Sequence, residues 1–477
     1  MTHLPALPSP SSDYATTLAA LQARGRFGIH LGLGRTRALL RALGDPDRDV
    51  RGALIAGTNG KGSVQAMVAA CLTEAGTRVG QTPKPHLVSY RERILIEGRR
   101  LPAATFAGLV GEVLAIADGL SRRLGPATEF EVLTAAAFAA FARAGVEVGV
   151  IEVGLGGRLD ATNAWDGGVA AVTNVGLDHV DRLGSTIEAI AREKAAIVKR
   201  GDRAVTGARG AALAVVRRRA RRLSVPLREV EPLPVLGMDR GGLRLVTPEL
   251  GELRLGLLGR HQAANAAVAL GILAALAKAG IAATTAAHIR AGFESVRWPG
   301  RLELLALTGT DGAAGTDRAG PARLEAPDPA APDLLLDGAH NADGAAALAA
   351  ALDELRPSLS PGRTTLLFGA MRDKDVVAMA ASLAGAAALT GARIITVRID
   401  APRALSAAEL ATIWRTASPG GGHEVRPFES LDDALVTAIA AAREYGGPLV
   451  VAGSLYLVGA VRGRLVVNDD LRHDEGT

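Results

Sequence analysis

Short apolar runs alternate with helical periodicity along the first part of the chain. Runs of strand length stand at 50–56 (VRGALIA), 146–154 (VEVGVIEVG) and 169–176 (VAAVTNVG). The stretches 63–76 and 261–280 carry apolar residues at the spacing of a helix face. Strands and helices that alternate in this way predict a mainly parallel sheet with helices on both of its faces.

A second alternation begins after the segment SVRWPGR at 295–301. Its apolar runs are RLELLAL, DLLLDGAHN, TTLLFGAM, RIITVRID and PLVVAGS. A chain of 477 residues is too long for one ordinary core. The sequence therefore predicts two α/β domains, 1–296 and a smaller, Rossmann-like 297–477. A Gly-, Ala-, Pro- and Asp-rich stretch at about 309–332 is predicted to be a flexible insertion in the second.

The turn AGTNGKGS at 56–63 has the composition of a phosphate-binding loop. It departs from the usual G-x-x-x-x-G-K-[ST] spacing, because its first glycine comes too close and Gly62 separates Lys61 from Ser63. Its place between a strand and a helix is nevertheless the one that such a loop requires, since backbone N–H groups and a helix N-terminus there favour an anionic ligand. We therefore predict that the N-terminal domain is P-loop NTPase-like and binds ATP.

Several polar residues stand where they could take part in ATP chemistry. That chemistry needs a divalent metal held near the phosphates, and in α/β sheets the ligands lie at the C-terminal ends of strands. Glu152 and His179 are predicted at the ends of neighbouring strands, and Asp337 follows a strand of the second domain. Arg301, at the domain boundary, could reach phosphates. Spacing alone places Lys194 on the solvent-exposed face of a helix.

Composition narrows the class of partner without selecting one. The net charge is +5, and the densest basic cluster, 217–222, is typical of the solvated face of a helix. Cys71 is the single cysteine, which excludes a disulfide framework and a cysteine-based metal site. The N-terminus lacks a secretory pattern, and the apolar run 263–277 is shorter than a membrane span. We expect a cytoplasmic protein that binds small molecules, and neither nucleic acid nor a membrane.

Seven short motifs, in chain order, resemble the folylpolyglutamate synthase/dihydrofolate synthase family of Mur-ligase-like, ATP-dependent amide ligases. They are AGTNGKGS, EVGLGGRLDATN, LDHVDRLG, REKAAI, WPGR, DGAHN and MRDKD. The resemblance covers almost the whole chain, from HLGLGR to VVAGSLYLVGAV. Each motif alone is a weak or moderate signal, but the set is specific, and the unusual loop spacing is the one that this family uses.

The resemblance implies a role for each candidate residue. The implied ATP-binding residues are Thr58, Asn59, Gly60, Lys61, Gly62, Ser63, Asn265, Arg301, Asp337 and His340. The implied ligands of two Mg²⁺ ions are Ser63, Glu152, His179 and Lys194. Lys194 would act as a carbamate, which turns a cation into a carboxylate-like ligand. The implied catalytic residues are Lys61, Lys194 and Arg301. The implied pterin-side substrate residues are Thr128, Glu129, Phe130, Glu131, Leu159, Asp160 and Ala161.

One position departs from the family pattern. The family usually has Ser-Pro-His after the second strand, and that serine contributes to metal binding. Here the segment reads TPKPHL, with Lys84 at the serine position, while His86 keeps its place. A lysine would repel Mg²⁺, or it could contact a phosphate or the carboxylate of the substrate. Lys84 is therefore not predicted to be a metal ligand.

The implied reaction is ATP-dependent formation of an amide through an acyl phosphate, with L-glutamate as the amine. The acceptor would be dihydropteroate, the glutamate tail of a reduced folate, or both, as in bifunctional bacterial members, and a monomer is expected. A monofunctional folylpolyglutamate synthase is the main alternative. A Mur ligase of peptidoglycan synthesis is more remote, since only about 55 residues precede the loop. A non-enzymatic ATP sensor or nucleic-acid-binding protein would leave Glu152, His179 and Lys194 without a purpose.

Overall fold

The computed structural model describes residues 13–27, 32–307, 331–417 and 422–466. Its helices are α1 Tyr14–Gln22, α2 Gly34–Ala42, α3 Lys61–Glu74, α4 Ala103–Leu124, α5 Glu129–Arg143, α6 Val180–Leu183, α7 Ile187–Ala195, α8 Gly210–Leu223, α9 Gln262–Lys278, α10 Ala286–Ser295, α11 Ala342–Leu355, α12 Val376–Ala384, α13 Ala407–Ala417, α14 Leu431–Tyr445 and α15 Leu455–Leu465. Its strands are β1 Arg51–Ala56, β2 Val79–Thr82, β3 Leu95–Ile96, β4 Arg99–Arg100, β5 Val148–Glu152, β6 Gly168–Val172, β7 Arg203–Thr206, β8 Leu227–Glu229, β9 Val235–Asp239, β10 Gly242–Thr247, β11 Gly251–Leu255, β12 Glu303–Ala306, β13 Asp333–Leu336, β14 Thr365–Phe368, β15 Arg393–Val397, β16 Glu424–Phe428 and β17 Leu449–Ala452.

The first sheet has the order β4-β3-β2-β5-β1-β6-β7-β8. Strands β2, β5, β1, β6, β7 and β8 are parallel, and the β3–β4 hairpin adds an antiparallel edge. Side chains alternate across β1, so that Leu54 joins one apolar core with α4 and α5, while Ile55 joins another with α3 and α9. The predicted sheet with helices on both faces is therefore confirmed.

The second sheet has the order β12-β13-β17-β14-β15-β16. Only β12 is antiparallel to its neighbour; the other pairs are parallel. Helices α11 to α13 cover one face and α14 with α15 the other, as the second α/β alternation predicts. A small antiparallel sheet, β11-β10-β9, packs in the core beside α9 and α10. The predicted insertion at 309–332 falls mainly on residues outside the described ranges.

Two further expectations concern packing. Cys71 is fully buried in the core, and the basic cluster 217–222 lies on α8 with most of its arginines exposed, as predicted. Among the described helices, α4 is long and apolar enough to cross a membrane by length and composition. Phe106, Val110 and Val113 of α4 pack in the same core as α5. A core helix passes the same test, so α4 is weak evidence for a span.

Candidate active site

Residues that are distant in sequence pack against the glycines of the phosphate-binding loop. It connects β1 to α3, and Gly60 begins the helix with a left-handed backbone, φ 83°. A Cβ at Gly60 would collide with the side chain of Asn265, on α9, and a Cβ at Gly62 would lie 3.0 Å from the ring of Trp298. A side chain at Gly62 would therefore press on Trp298, and one at Gly60 would displace Asn265, so both glycines leave room for residues that are distant in sequence.

Lys61 folds back over the loop. Its Nζ donates to the carbonyl oxygens of Gly57 and Thr58, at 3.1 Å each, and lies 3.9 Å from Oε1 of Glu152. Lys194 Nζ donates to the same Gly57 carbonyl, at 2.9 Å. Two ammonium groups therefore meet at the end of β1, where a polyphosphate would be attracted.

Lys194 is buried, which corrects the interpretation of its spacing as a wet helical face. Burial, together with the charge of Lys61, lowers its pKa to about 7. A lowered pKa increases the fraction of neutral amine, and the neutral amine is the form that combines with CO₂ to give a carbamate. The environment of Lys194 therefore suits the modification that the family resemblance implies.

Ser63 and Asn265 belong to one hydrogen-bonded network. Gln262 Nε2 donates to Ser63 Oγ at 3.3 Å, and its Oε1 accepts from Asn265 Nδ2 at 2.8 Å. Gln262 thus joins the first turn of α3 to α9. Sequence reasoning missed it, because a glutamine inside an apolar helix gives no local signal of its partner.

Glu152 ends β5, as predicted, and is buried among cations. Lys84 contacts it twice: the backbone N–H donates to Oε2 at 3.2 Å, and Nζ donates to the main-chain oxygen at 2.6 Å. Burial raises the pKa of the Glu152 carboxyl, and the charges of Lys61, Lys84 and Arg301 oppose that rise. Burial also lowers the pKa of Lys84 to about 8, against the charges of Asp160 and Glu152. The Glu152 carboxylate therefore interacts with three cationic side chains, those of Lys61, Lys84 and Arg301.

His179 does not end a strand, contrary to the prediction. Strand β6 stops at Val172, and His179 instead caps the short helix α6 with a left-handed backbone, φ 51°. Its side chain is 45% exposed, with Nε2 3.9 Å from Oδ2 of Asp178. Burial lowers its pKa and Asp178 opposes this, while Lys194 and Lys61 lower it further, which places His179 within electrostatic reach of the phosphate loop. A loop, rather than a strand end, carries this residue to the site.

The side chains around the phosphate loop offer few ligands for Mg²⁺. Within the described ranges, no three His, Cys, Asp or Glu side chains form a group that could hold a metal ion. Mg²⁺ is commonly held by only one or two protein oxygens together with phosphate oxygens and water. The Glu152 carboxylate and the hydroxyl of Ser63, in the first turn of α3, fit such an ion. A second ion would need Lys194 as a carbamate beside His179, since an ammonium group cannot bind a metal.

The second sheet contributes Asp337 and Arg301. Burial raises the pKa of Asp337 and lowers that of Arg301, and each group's charge opposes the shift of the other. The charge of Glu152 also acts on Arg301. Both carboxylate oxygens of Asp337 accept backbone N–H groups, from Ala339 at 2.9 Å and Leu302 at 2.8 Å. Arg301 is therefore the group that links the acidic residues of the two sheets, and Asp337 fixes the backbone that presents it.

Two hydrogen bonds connect the second sheet with the loops of the first. Asn341 Nδ2 donates to Asn59 Oδ1 at 3.3 Å, and Lys374, in the motif MRDKD, donates to Asp178 Oδ1 at 3.0 Å. His340 lies beside Asn341, and its Nδ1–H donates to the carbonyl oxygen of Gly338 at 2.8 Å. Lys374 was not among the predicted site residues. The motif that contains it was the only signal in the sequence.

Some of the predicted substrate residues stabilise the local backbone. Thr128 and Glu131 form the capping box of α5, and Asp160 accepts the N–H groups of Gly154, Leu155 and Thr162. Phe130 instead faces Lys84, whose Nζ lies 4.3 Å from the ring centroid. Glu129 interacts with Arg93 and Tyr90, and its pKa is raised by burial. Leu159 and Ala161 flank Asp160, and neither has a polar side chain. Their contacts with a substrate stay a prediction.

Two family models match the chain. The Mur ligase middle domain matches residues 55–273, from the strand before the phosphate loop into α9. The Mur ligase, glutamate ligase domain matches 323–455. With the phosphate loop and its cationic cluster, these matches define the class: the protein is an ATP-dependent, amide-forming ligase.

The chain belongs to the folylpolyglutamate synthase/dihydrofolate synthase family, as the motifs indicated. It is 32% identical to the dihydrofolate synthase/folylpolyglutamate synthase of Bacillus subtilis, over 95% of this chain and 99% of that protein. It is 35% identical to the protein of the same name from Mycobacterium tuberculosis, over 90% of this chain and 89% of the relative. A Haloferax volcanii protein, named a probable bifunctional folylpolyglutamate synthase/dihydropteroate synthase, is 35% identical over 92% of this chain, which spans only 49% of its length.

Solved structures share the fold. The folylpolyglutamate synthase of Mycobacterium tuberculosis complexed with ADP and AMPPCP has a TM-score of 0.79 and 32% identity, over 96% of this chain and 100% of that one. Escherichia coli FolC in complex with DHPP and ADP has a TM-score of 0.77 and 28% identity, over 98% and 100% of the two chains. The predicted α/β class and the predicted family are both confirmed.

Proposed function

We propose that this protein joins L-glutamate to dihydropteroate and to the γ-glutamate tail of reduced folates, with ATP as the source of energy. The observation that carries the proposal is that Glu152 interacts both with Lys61 of the phosphate loop and with Arg301, which precedes the first strand of the second sheet. The names of the relatives from Bacillus subtilis and Mycobacterium tuberculosis support both acceptors.

The proposed chemistry first activates a carboxylate. A carboxylate oxygen of the acceptor attacks the γ-phosphorus of ATP, the bond to the β–γ bridging oxygen breaks, and ADP leaves. The glutamate amine then attacks the acyl carbon, loses a proton to solvent and displaces inorganic phosphate. Lys61 and Arg301 would stabilise the negative charge on the transferred group, because fixed cations act strongly in a site that excludes water.

Mg²⁺ would supply further neutralisation of phosphate charge when bound. We assign Ser63 and Glu152 to one ion, and His179 with carbamylated Lys194 to a second.

We also propose that 1–296 and 297–477 are separate domains that enclose ATP between them. The contacts from Asn341 to Asn59 and from Lys374 to Asp178 would hold that arrangement closed and protect the acyl phosphate from water. A cytoplasmic monomer is proposed as the working form.

A monofunctional folylpolyglutamate synthase is the second candidate. A relative from Lacticaseibacillus casei, named folylpolyglutamate synthase, is 32% identical over 95% of this chain and 99% of its own length. Relatives of similar identity therefore carry both names, so the acceptor has to be measured.

The deciding experiment is ADP release by the purified protein with Mg²⁺, ATP and L-glutamate, in parallel with dihydropteroate and with tetrahydrofolate. Release with both acceptors is expected. Release with tetrahydrofolate alone would select the monofunctional candidate. If the protein binds ATP but releases ADP with neither acceptor, the proposed acceptors are contradicted.

A further inference from the structure

Lys84 is held against Glu152 at both of its ends. Its backbone N–H donates to Oε2 of Glu152, and its Nζ donates to the Glu152 carbonyl. Lys61, by contrast, approaches Oε1 of the same residue and folds over the phosphate loop. Lys84 is therefore fixed beside Glu152 at atoms that Lys61 does not use.

The ammonium group of Lys84 also faces the predicted pterin side. Nζ lies 4.3 Å from the ring centroid of Phe130, close enough for a cation–π interaction. Phe130 is in the first turn of α5, and its ring would be 2.9 Å from a Cβ added at Gly154, in the glycine-rich turn after β5. The ammonium group therefore lies between the acidic end of β5 and an aromatic ring.

The ammonium group of Lys84 can donate hydrogen bonds to an anionic ligand at this point. An ammonium has three N–H donors, and within the described ranges Lys84 Nζ uses one of them, for the Glu152 carbonyl. Asp160 attracts Lys84, but both of its oxygens already accept hydrogen bonds from the turn that it caps. Lys61, Lys84 and Arg301 all act on the Glu152 carboxylate, while Asp160 also acts on Lys84 and Asp337 on Arg301. As a residue Lys84 is only partly buried, although burial dominates the environment of its ammonium group.

We propose that Lys84 binds the reacting carboxylate of the acceptor substrate and holds it beside the phosphate loop for attack on the γ-phosphoryl group. The ligand is an anionic carboxylate; in dihydropteroate the aminobenzoate ring carries it, and that ring would lie toward Phe130. This inference rests on the proposed function, because it takes the acceptors to be pterin or folate carboxylates. It assigns to Lys84 a binding role that is separate from phosphate binding by Lys61.

The test compares two ligands and two side chains. Lys84→Met keeps the length of the side chain and removes its charge. Equilibrium binding of dihydropteroate and of its neutral carboxamide is measured by fluorescence titration with ADP and Mg²⁺ present. A charge-assisted hydrogen bond to carboxylate predicts that Lys84→Met weakens dihydropteroate binding about ten-fold or more and leaves carboxamide binding unchanged. The KM for ATP should not change.

Lys199→Met is the matched control. Lys199 also donates from Nζ to a backbone carbonyl, that of Trp165 at 2.7 Å, but it precedes β7 at the opposite edge of the sheet. This variant should bind both ligands as the wild type does. Lys84→Arg keeps the charge and should retain part of the preference for carboxylate, which covers the case in which the methionine variant does not fold.

The outcomes separate the two proposals. If the wild type binds acceptor and Lys84→Met weakens both ligands equally, or neither, the role of Lys84 is overturned and the proposed function stands. A changed Mg²⁺ requirement without a changed ligand preference would likewise overturn it, in favour of a lysine that substitutes for a metal ion. If the wild type binds neither dihydropteroate nor the carboxamide, and tetrahydrofolate also fails to bind, the proposed function fails and the assignment of Lys84 falls with it.

Discussion

The C-terminal edges of the two parallel sheets each bear a buried acidic residue, and the two residues have different partners. Glu152, at the end of β5, has its carboxylate near Lys61 and against the backbone N–H of Lys84. Asp337, directly after β13, has both oxygens bonded to backbone N–H groups, those of Leu302 and Ala339. The same position in a parallel sheet therefore has two kinds of partner: Glu152 lies among the cationic side chains of Lys61 and Lys84, and Asp337 accepts backbone N–H groups.

The largest expected effect is on chemistry at the first edge. Lys61→Ala and Glu152→Ala should each lower glutamate-dependent ADP release by about 10³-fold or more, because each removes a charge next to the transferred phosphoryl group. The check is the steady-state rate at saturating ATP. Lys278→Ala, which alters an exposed lysine in the last turn of α9, should keep full activity. Near-normal turnover in either active-site variant would refute the assignment.

Substitution of Asp337, at the edge of the second sheet, should lower the stability of the protein. Asp337→Ala leaves two buried N–H groups, of Leu302 and Ala339, without an acceptor, and is expected to cost about 3 kcal/mol of the free energy of unfolding. Urea denaturation measures this cost. Asp343→Ala, at an exposed acidic position in the first turn of α11, should cost about 0.5 kcal/mol. Equal losses in the two variants would show that the N–H groups of Leu302 and Ala339 do not depend on Asp337.

A third carboxylate, at the opposite edge of the first sheet, sharpens the comparison. Asp202 precedes β7 and has Asp166 as a neighbour. Burial, together with the charge of Asp166, raises the pKa of Asp202 to about 7. A hydrogen bond from the backbone N–H of Lys199 opposes that rise. The native state then holds a proton that the unfolded state has lost. The stability from this group is complete below the unfolded pKa of 3.8 and is lost as pH rises through about 7.

Asp202→Asn should flatten that pH dependence by on the order of 2 kcal/mol between these limits, since asparagine does not titrate. The measurement is urea unfolding of the wild type and the variant across the same pH range. Parallel profiles for the two proteins would show that the pKa of Asp202 is the same in the native and unfolded states.

Sequence patterns predicted those site residues whose place depends on local structure. The strand–turn–helix around Lys61 and the position of Glu152 at the end of β5 follow from apolar periodicity over a few residues. Patterns did not predict that His179 lies seven residues beyond its strand, because loop paths depend on packing. Periodicity also gave the wrong environment for Lys194, since helical spacing does not reveal what packs against the helix.

The sequence by itself determined the two α/β alternations, the phosphate loop at a strand-to-helix junction and, through the joint order of seven motifs, the family. These features need only short-range periodicity, turn chemistry and chain order. The tertiary structure alone decided which charges meet: Lys61 and Lys194 on one carbonyl, Lys84 along Glu152, Lys374 on Asp178. Such contacts depend on how sheets and helices pack over long sequence separations, and no local pattern of residues encodes that geometry.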